Sequence, residues 1–214
     1  MKKKNYSVIT TLLIVTLSII WTSCEEQVVP DNSTDRLFRP AMLTANVNGV
    51  AVKLSWVPIA KASYYLELSR DSFQYENDLQ VFSLDGVAEY QVDDLWSSSR
   101  YSVRIKAISK DSTIKDSEYK QIQFMTGVEN IFYAINSANV SVSSVWLEWN
   151  NAKSVNRIVI STKDTPDREV QLSITNISEG KKLIDGLSAN KAYTFKIYKG
   201  EMLRGTVSVM TKAS

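Results

Sequence analysis

Two stretches of this chain alternate apolar and polar residues with a period of two, and both follow one frame. Leu95–Ala107 reads LWSSSRYSVRIKA: Leu95, five residues, then Tyr101, Val103, Ile105 and Ala107 at every second position. Leu187–Tyr198 reads LSANKAYTFKIY and repeats the frame with Leu187, Tyr193, Phe195 and Ile197. Period two puts each apolar set on one face of a strand and turns Ser102, Arg104 and Lys106 to the other, the pattern of a half-buried antiparallel strand. A second alternating strand lies upstream of each: Val52, Leu54 and Trp56 in one case, Val145, Leu147 and Trp149 in the other. Trp precedes Tyr by 45 residues in the first copy and by 44 in the second, and the two Trp are 93 apart, a repeat of domain size. Large apolar residues on a strand's inner face are core residues, so Trp56 and Trp149 are expected inside.

Turn signals cut the rest into short strands. The first copy predicts strands at Met42–Val47, Val50–Val57, Tyr64–Ser69, Leu79–Leu84, Ala88–Val92, Arg100–Ser109 and Tyr119–Thr126, with Asn48-Gly49 and Asp85-Gly86 as turns. The second predicts Phe132–Asn136, Ser143–Trp149, Asn156–Thr162, Glu169–Ile174, Lys182–Ile184, Ala192–Tyr198 and Thr206–Thr211. Seven short strands in about 100 residues fit an Ig-like sandwich. The predicted fold is all-β: two tandem Ig-like β-sandwiches at 40–127 and 128–214, behind a leader at 1–23 and a tether at 24–39. The link at Gly127-Val128 is short enough to make the pair semi-rigid. The last strand ends close to Ser214, which leaves no length for a third sandwich.

The Leu–Tyr frame with its upstream Trp resembles fibronectin type III domains, whose hallmark is a Trp on the second strand and an L-x-P-x-x-x-Y corner before the sixth. The spacing is kept twice here, with Ser97 and Ala189 where the family usually has Pro. The resemblance covers about Pro40 to Thr211 and implies a tyrosine corner in each sandwich, in which the ring is buried and its hydroxyl meets a nearby backbone group. It implies little about function, because one fold hosts many.

The N-terminal segment bears on location. Lys2, Lys3 and Lys4 precede an apolar run, Val8–Trp21, too short for a comfortable span. The run ends in Trp21-Thr22-Ser23-Cys24, which resembles a bacterial lipobox with Trp21 in place of the usual Leu. Cys24 is the only cysteine, so the chain cannot form an internal disulfide, and it is the expected lipidation site. Glu25 and Glu26 resemble the export signal of Bacteroidota-type surface lipoproteins. Residues Glu25–Arg39 carry no periodic apolar pattern and read as a flexible tether spanning roughly 20 Å. The resemblance implies a membrane partner through an N-terminal lipid anchor, on the outer membrane and facing the cell surface.

Charge and residue inventory narrow the chemistry. The whole chain carries 25 basic and 23 acidic residues; losing the three leader lysines leaves 22 against 23, a net of −1. No basic block remains to bind nucleic acid. The chain has no His, which removes Ser-His and Cys-His nucleophile pairs and most catalytic zinc sites. Adjacent carboxylates such as Asp93-Asp94 point to opposite sides of a strand or turn and cannot flank a glycosidic bond. No P-loop or dinucleotide fingerprint is present. The reading is a non-enzyme with no catalytic residue, no metal site and no cofactor.

Binding candidates are aromatic and amide side chains. Trp146 lies between the inward Val145 and Leu147 and should point out, and Trp96 sits in the corner loop; exposed rings of this kind stack on sugars or anchor protein partners. Tyr64, Tyr75 and Tyr90 are further surface candidates. The turns Asn150–Val155 and Lys199–Gly205 carry Asn150, Asn151, Lys153, Lys199, Glu201 and Arg204 and are expected together at the end of the second sandwich farthest from the tether. Asp111-Ser112-Thr113 resembles an O-glycosylation motif of Bacteroidota-type exported proteins. Together with the start Arg36–Pro40, the tandem sandwiches resemble the N-terminal half of glycan-associated surface lipoproteins that continue into a β-helix, a domain this sequence does not contain. The expected role is a non-catalytic spacer or binding module with a glycan partner, the alternative being an adhesion or assembly subunit with a protein partner.

Overall fold

The computed structural model of the protein describes residues 35–163 and 165–214. Cys24, Glu25, Glu26 and most of the tether therefore lie outside the described residues.

The first sandwich is built from seven strands: β1 (Thr44–Asn48), β2 (Ala51–Ser55), β3 (Ala62–Ser69), β4 (Gln80–Asp85), β5 (Glu89–Val92), β6 (Arg100–Ser109) and β7 (Lys120–Met125). They form an antiparallel sheet β1-β2-β5 facing another, β4-β3-β6-β7. The second contains β8 (Val145–Glu148), β9 (Arg157–Thr162), β10 (Thr165–Gln171), a helix α1 (Ile174–Glu179), β11 (Lys181–Ile184), β12 (Ala192–Lys199) and β13 (Met202–Met210). Its sheets are β11-β8 and β10-β9-β12-β13. Two tandem Ig-like β-sandwiches are thus observed.

Each sandwich has its own core. Val52, Leu54, Trp56, Tyr101, Val103 and Ile105 belong to one, and Val145, Leu147, Trp149, Tyr193, Phe195 and Ile197 to the other. The period-two sets therefore point inward, and both Trp are buried, with their indole Nε1 atoms unpaired. Both tyrosine corners close. The Tyr101 hydroxyl accepts from the Trp96 backbone N–H at 3.0 Å, and that of Tyr193 from Ser188 N–H at 2.9 Å. Three residues beyond each Leu the backbone turns left-handed, at Ser98 (φ 49°) and Asn190 (φ 51°).

A second fastening repeats at each corner. The Thr126 hydroxyl donates to Trp96 O and accepts from Ser99 N–H, while Thr211 makes the same bonds to Ser188 O and Lys191 N–H. Both Thr are buried. A threonine at the end of the last strand thus bolts that strand to the corner in each sandwich.

Several expected elements differ. Phe132–Asn136 is not a strand: Phe132 makes one isolated bridge to Trp149, and the Asn136 side chain caps a 3-10 turn at Ser137–Asn139. The strand expected at Glu169–Ile174 starts earlier and stops at Gln171. Ser173 then caps α1 through a reciprocal bond with Asn176, and Gly180 ends it at φ 67°. A Cβ on Gly180 would lie 2.6 Å from Trp149 O, so the helix is pressed against the end of β8. The β12–β13 turn is only Gly200-Glu201, because Lys199 already pairs with Met202.

Tyr64 and Tyr75, expected at the surface, are buried. Tyr64 shares the inward face of β3 with Leu66 and Leu68, packs edge-on against Trp56 at 5.2 Å, and its hydroxyl accepts from Ile59 N–H. Tyr75 sits in the β3–β4 loop, which folds back over the outer face of the four-stranded sheet. The Asp71 carboxylate organises that loop by accepting from Ser69 Oγ and from the N–H groups of Tyr75, Glu76 and Asn77. Tyr90 is half-buried against Phe82.

Candidate functional site

The turns expected at the far end of the second sandwich lie instead at its junction with the first. The chain enters the second sandwich between them: Ile131 N–H donates to Arg204 O at 3.0 Å, and Asn150 N–H donates to Ile131 O at 2.9 Å. Whichever end of a sandwich receives the entering strand also holds these two turns, so they face the preceding module.

Arg204 is the centre of the junction. It sits on β13 with 0% exposure. Its Nη2 donates at 3.1 Å to Asp94, on the corner of the first sandwich, and at 3.1 Å to Glu129, in the connecting segment. Its Nε lies 2.9 Å from the second Glu129 oxygen, close but not aligned as a hydrogen bond. Lys153 reaches Asp94 at 3.1 Å and Lys199 at 3.8 Å. A fully buried guanidinium is tolerable only because two carboxylates meet it.

The two carboxylates respond in opposite ways. Burial pushes the Asp94 carboxyl up, but hydrogen bonds from Arg204 and Lys153 outweigh it and hold the group below its usual range. For Glu129 burial wins, and the carboxyl stays above its usual range even beside Arg204.

A cleft of about 370 Å³ opens beside this cluster, between Trp96, Ser97, Glu129, Asn130, Glu201 and Leu203. It brings the candidate Trp96 next to the β12–β13 turn. Most of its polar groups are spent on the protein itself. Arg70 stacks on the Trp96 ring at 3.9 Å. Ser97 Oγ accepts from Glu129 N–H, and Asn130 bonds both the N–H and the C=O of Thr206. Glu201 pairs with Arg157 at 3.1 Å. Gly205 packs so closely on Asn130 that an added Cβ would lie 2.5 Å from Oδ1.

The other sequence candidates are not assembled into one site. The Asn150 side chain accepts from Ala152 N–H and shapes its own turn, and the Asn151 amide donates to Ser178 O, tying that turn to α1. Trp146 points outward as expected, 40% exposed, and faces Leu183, 37% exposed, across the β8–β11 pair. Asp111 accepts from Thr113 N–H and Oγ1 and closes an exposed turn. Among the described residues, no group of three or more Asp or Glu could hold a metal ion.

Sequence reasoning missed Arg204, which it placed in an exposed turn. It also missed the two corner threonines, although their position at the end of each last strand repeats.

The structure is similar to a two-domain fibronectin type III segment of chicken tenascin, at 17% identity and a TM-score of 0.42, covering 82% of this chain and 99% of that one. It is also similar to the FN1–FN3 domains of chicken CNTN1, at 14% identity and a TM-score of 0.36, covering 84% and 69%. No family model matches the sequence, and no curated protein matches it.

Proposed function

We propose that the protein is a non-catalytic spacer or binding module of the bacterial cell envelope, held at the outer membrane by a lipid on Cys24 and facing the cell surface. The observation that carries the spacer reading is the buried Arg204 cluster. It takes one carboxylate from the first sandwich, one from the connecting segment and the guanidinium from the second, and so ties the modules into one body. The junction's side chains are engaged with one another, which suits a rigid connector better than a reactive cleft. The sequence resemblance supports the lipid anchor and a glycan-handling setting.

Two measurements test this. Backbone 15N relaxation should give both sandwiches one rotational correlation time; separate, shorter times for each would overturn the rigid spacer. Intact-mass analysis of membrane-extracted protein should show an acylated Cys24, and a soluble product with a free thiol would remove the anchor.

A second reading, an adhesion or assembly subunit, is favoured by the exposed Trp146–Leu183 pair, since solvated aromatic anchors are characteristic of protein contacts. Loss of a co-purifying protein on Trp146→Ser, with stability unchanged, would select it.

A further inference from the structure

The outer face of β4-β3-β6-β7 divides into a covered half and an open half. In the covered half the Asp71-organised loop lies over Ser69 and Ser102, both with no exposure, and Phe73 N–H donates to Ser102 Oγ at 3.0 Å. Next to it Arg104 is sandwiched between the Tyr75 and Tyr119 rings, at 4.1 and 4.4 Å, and grips Glu67 through two hydrogen bonds of 2.6 and 3.1 Å. Lys106 continues the row, 5.7 Å from both the Tyr119 and Tyr65 rings and paired with Asp116 at 3.2 Å. The ladder of alternating rings and cations ends at Tyr65, which the Lys106 ammonium approaches from one side.

Beyond Tyr65 the face is open. Strand register sets two rows across it: Ser83–Tyr65–Lys106 and Asp85–Ser63–Ile108. Ser63, Tyr65, Ser83, Asp85 and Ile108, together with Lys110, line a trough of about 510 Å³ to which Lys106 does not contribute, within the size range of small-ligand sites. Its hydroxyls are not spent, in contrast to the polar groups of the junction. Among the described residues the hydroxyls of Ser63, Tyr65 and Ser83 have no hydrogen-bond partner, and Asp85 and Lys110 bond only each other, at 2.5 Å.

We propose that this trough is a binding site for a neutral saccharide, with Tyr65 as the stacking platform. The chemistry selects that class. An aromatic ring at the edge of the trough can offer its face to the C–H side of a pyranose. Three hydroxyls, one carboxylate and one ammonium offer donors and acceptors for ring hydroxyls. Each charge at the site is matched by its opposite, Asp85 by Lys110 and Lys106 by Asp116, so no net field favours an ion. The assignment rests on reading the protein as a binding module as well as a spacer, and it names the ligand class and place.

The test uses the isotope-labelled full chain in a zwitterionic detergent without a sugar headgroup. Cellohexaose and maltohexaose are the neutral probes, and oligogalacturonate is the anionic one. At least one neutral probe should shift the amides of Ser63, Tyr65, Ser83 and Asp85. Tyr65→Ala should weaken that probe about tenfold, the value of one aromatic stacking contact. Tyr65→Phe should keep the affinity, because the ring remains. An unchanged melting temperature in both variants separates lost binding from lost folding. The proposal is overturned if neither neutral probe shifts these amides, if oligogalacturonate binds as well as the neutral probes, or if the shifts fall at Trp96, Ser98 and Asn130. None of those results alters the common correlation time on which the spacer reading stands.

Discussion

Replacing Arg204 with Met keeps most of the side-chain volume and removes the charge. The cost follows from what is abandoned. Asp94 is 39% exposed and keeps Lys153 and Lys199 as neighbours, so it loses little. Glu129 is 10% exposed at its side chain, with its carboxylate facing the vanished guanidinium. Removing one partner of a buried pair costs about 3–5 kcal/mol, chiefly for the charge left behind. With one carboxylate stranded rather than two, the expected loss is at the lower end, about 3 kcal/mol. Urea denaturation reads it as a fall in midpoint, and the junction should also loosen, giving two transitions where the parent gives one. The loss should shrink on acidification. Burial already raises Glu129, so the native state binds its proton at a pH where the unfolded chain has released it. Stability from that group therefore increases as pH falls from the raised value toward the ordinary 4.5, and is greatest below it. Glu129→Gln in the Met variant should recover much of the loss at neutral pH. A cost under about 0.5 kcal/mol, the size of an ordinary surface change, would refute the argument that the cluster fastens the sandwiches.

Trp149→Ala should cost about 3–5 kcal/mol by thermal or urea unfolding, as a large core side chain removed from the second sandwich. Thr126→Val leaves the inward Ser99 N–H and Trp96 C=O without their partner and should cost about 1–3 kcal/mol, with Thr211→Val matching it in the second sandwich. Burial pushes Glu67 up, but hydrogen bonds from Arg104 and Tyr119 hold its carboxyl below the ordinary 4.5. Its contribution is therefore present above 4.5 and lost as pH falls through the lowered value, and Glu67→Gln should flatten the acid limb of a stability–pH curve.

What could be read from the sequence was whatever local periodicity encodes. Tyr101, Tyr193, Trp56 and Trp149 stand on alternating strands at repeated spacing, and their burial follows from one face of each strand. The same rule applied to β3 separates Tyr64, in step with Leu66 and Leu68, from Tyr65, which faces out. Treating Tyr64 as a surface residue ignored that step and hid the platform beside it. Helix α1 left a readable trace in Ser173, Asn176 and Gly180, but six residues are too few to show a helical period. Arg204 left none. A bulge between Ile197 and Tyr198 breaks the pairing of β12 with β13, and what buries Arg204 arrives from residues 110 and 75 positions away. Nor did spacing tell which end of the second sandwich holds its turns. That depends on where the entering segment passes, a property of the path and not of the pattern.

The segment joining the sandwiches is fastened along most of its backbone. Between Thr126 and Tyr133, the backbone N–H groups of Thr126, Gly127, Glu129, Ile131, Phe132 and Tyr133 are each bonded to a fixed partner: Ser99, Gly49, Ser97, Arg204, Asn130 and Glu148 respectively. A protease must draw several residues into an extended, unpaired conformation before it can cut, and exposed flexible links between domains are where it usually succeeds. This link is on the surface, yet among its N–H groups only those of Val128 and Asn130 have no such partner. Cleavage there would have to wait for a local opening that also breaks the Arg204 cluster. The two sandwiches would then stay joined under proteolysis for as long as that cluster holds.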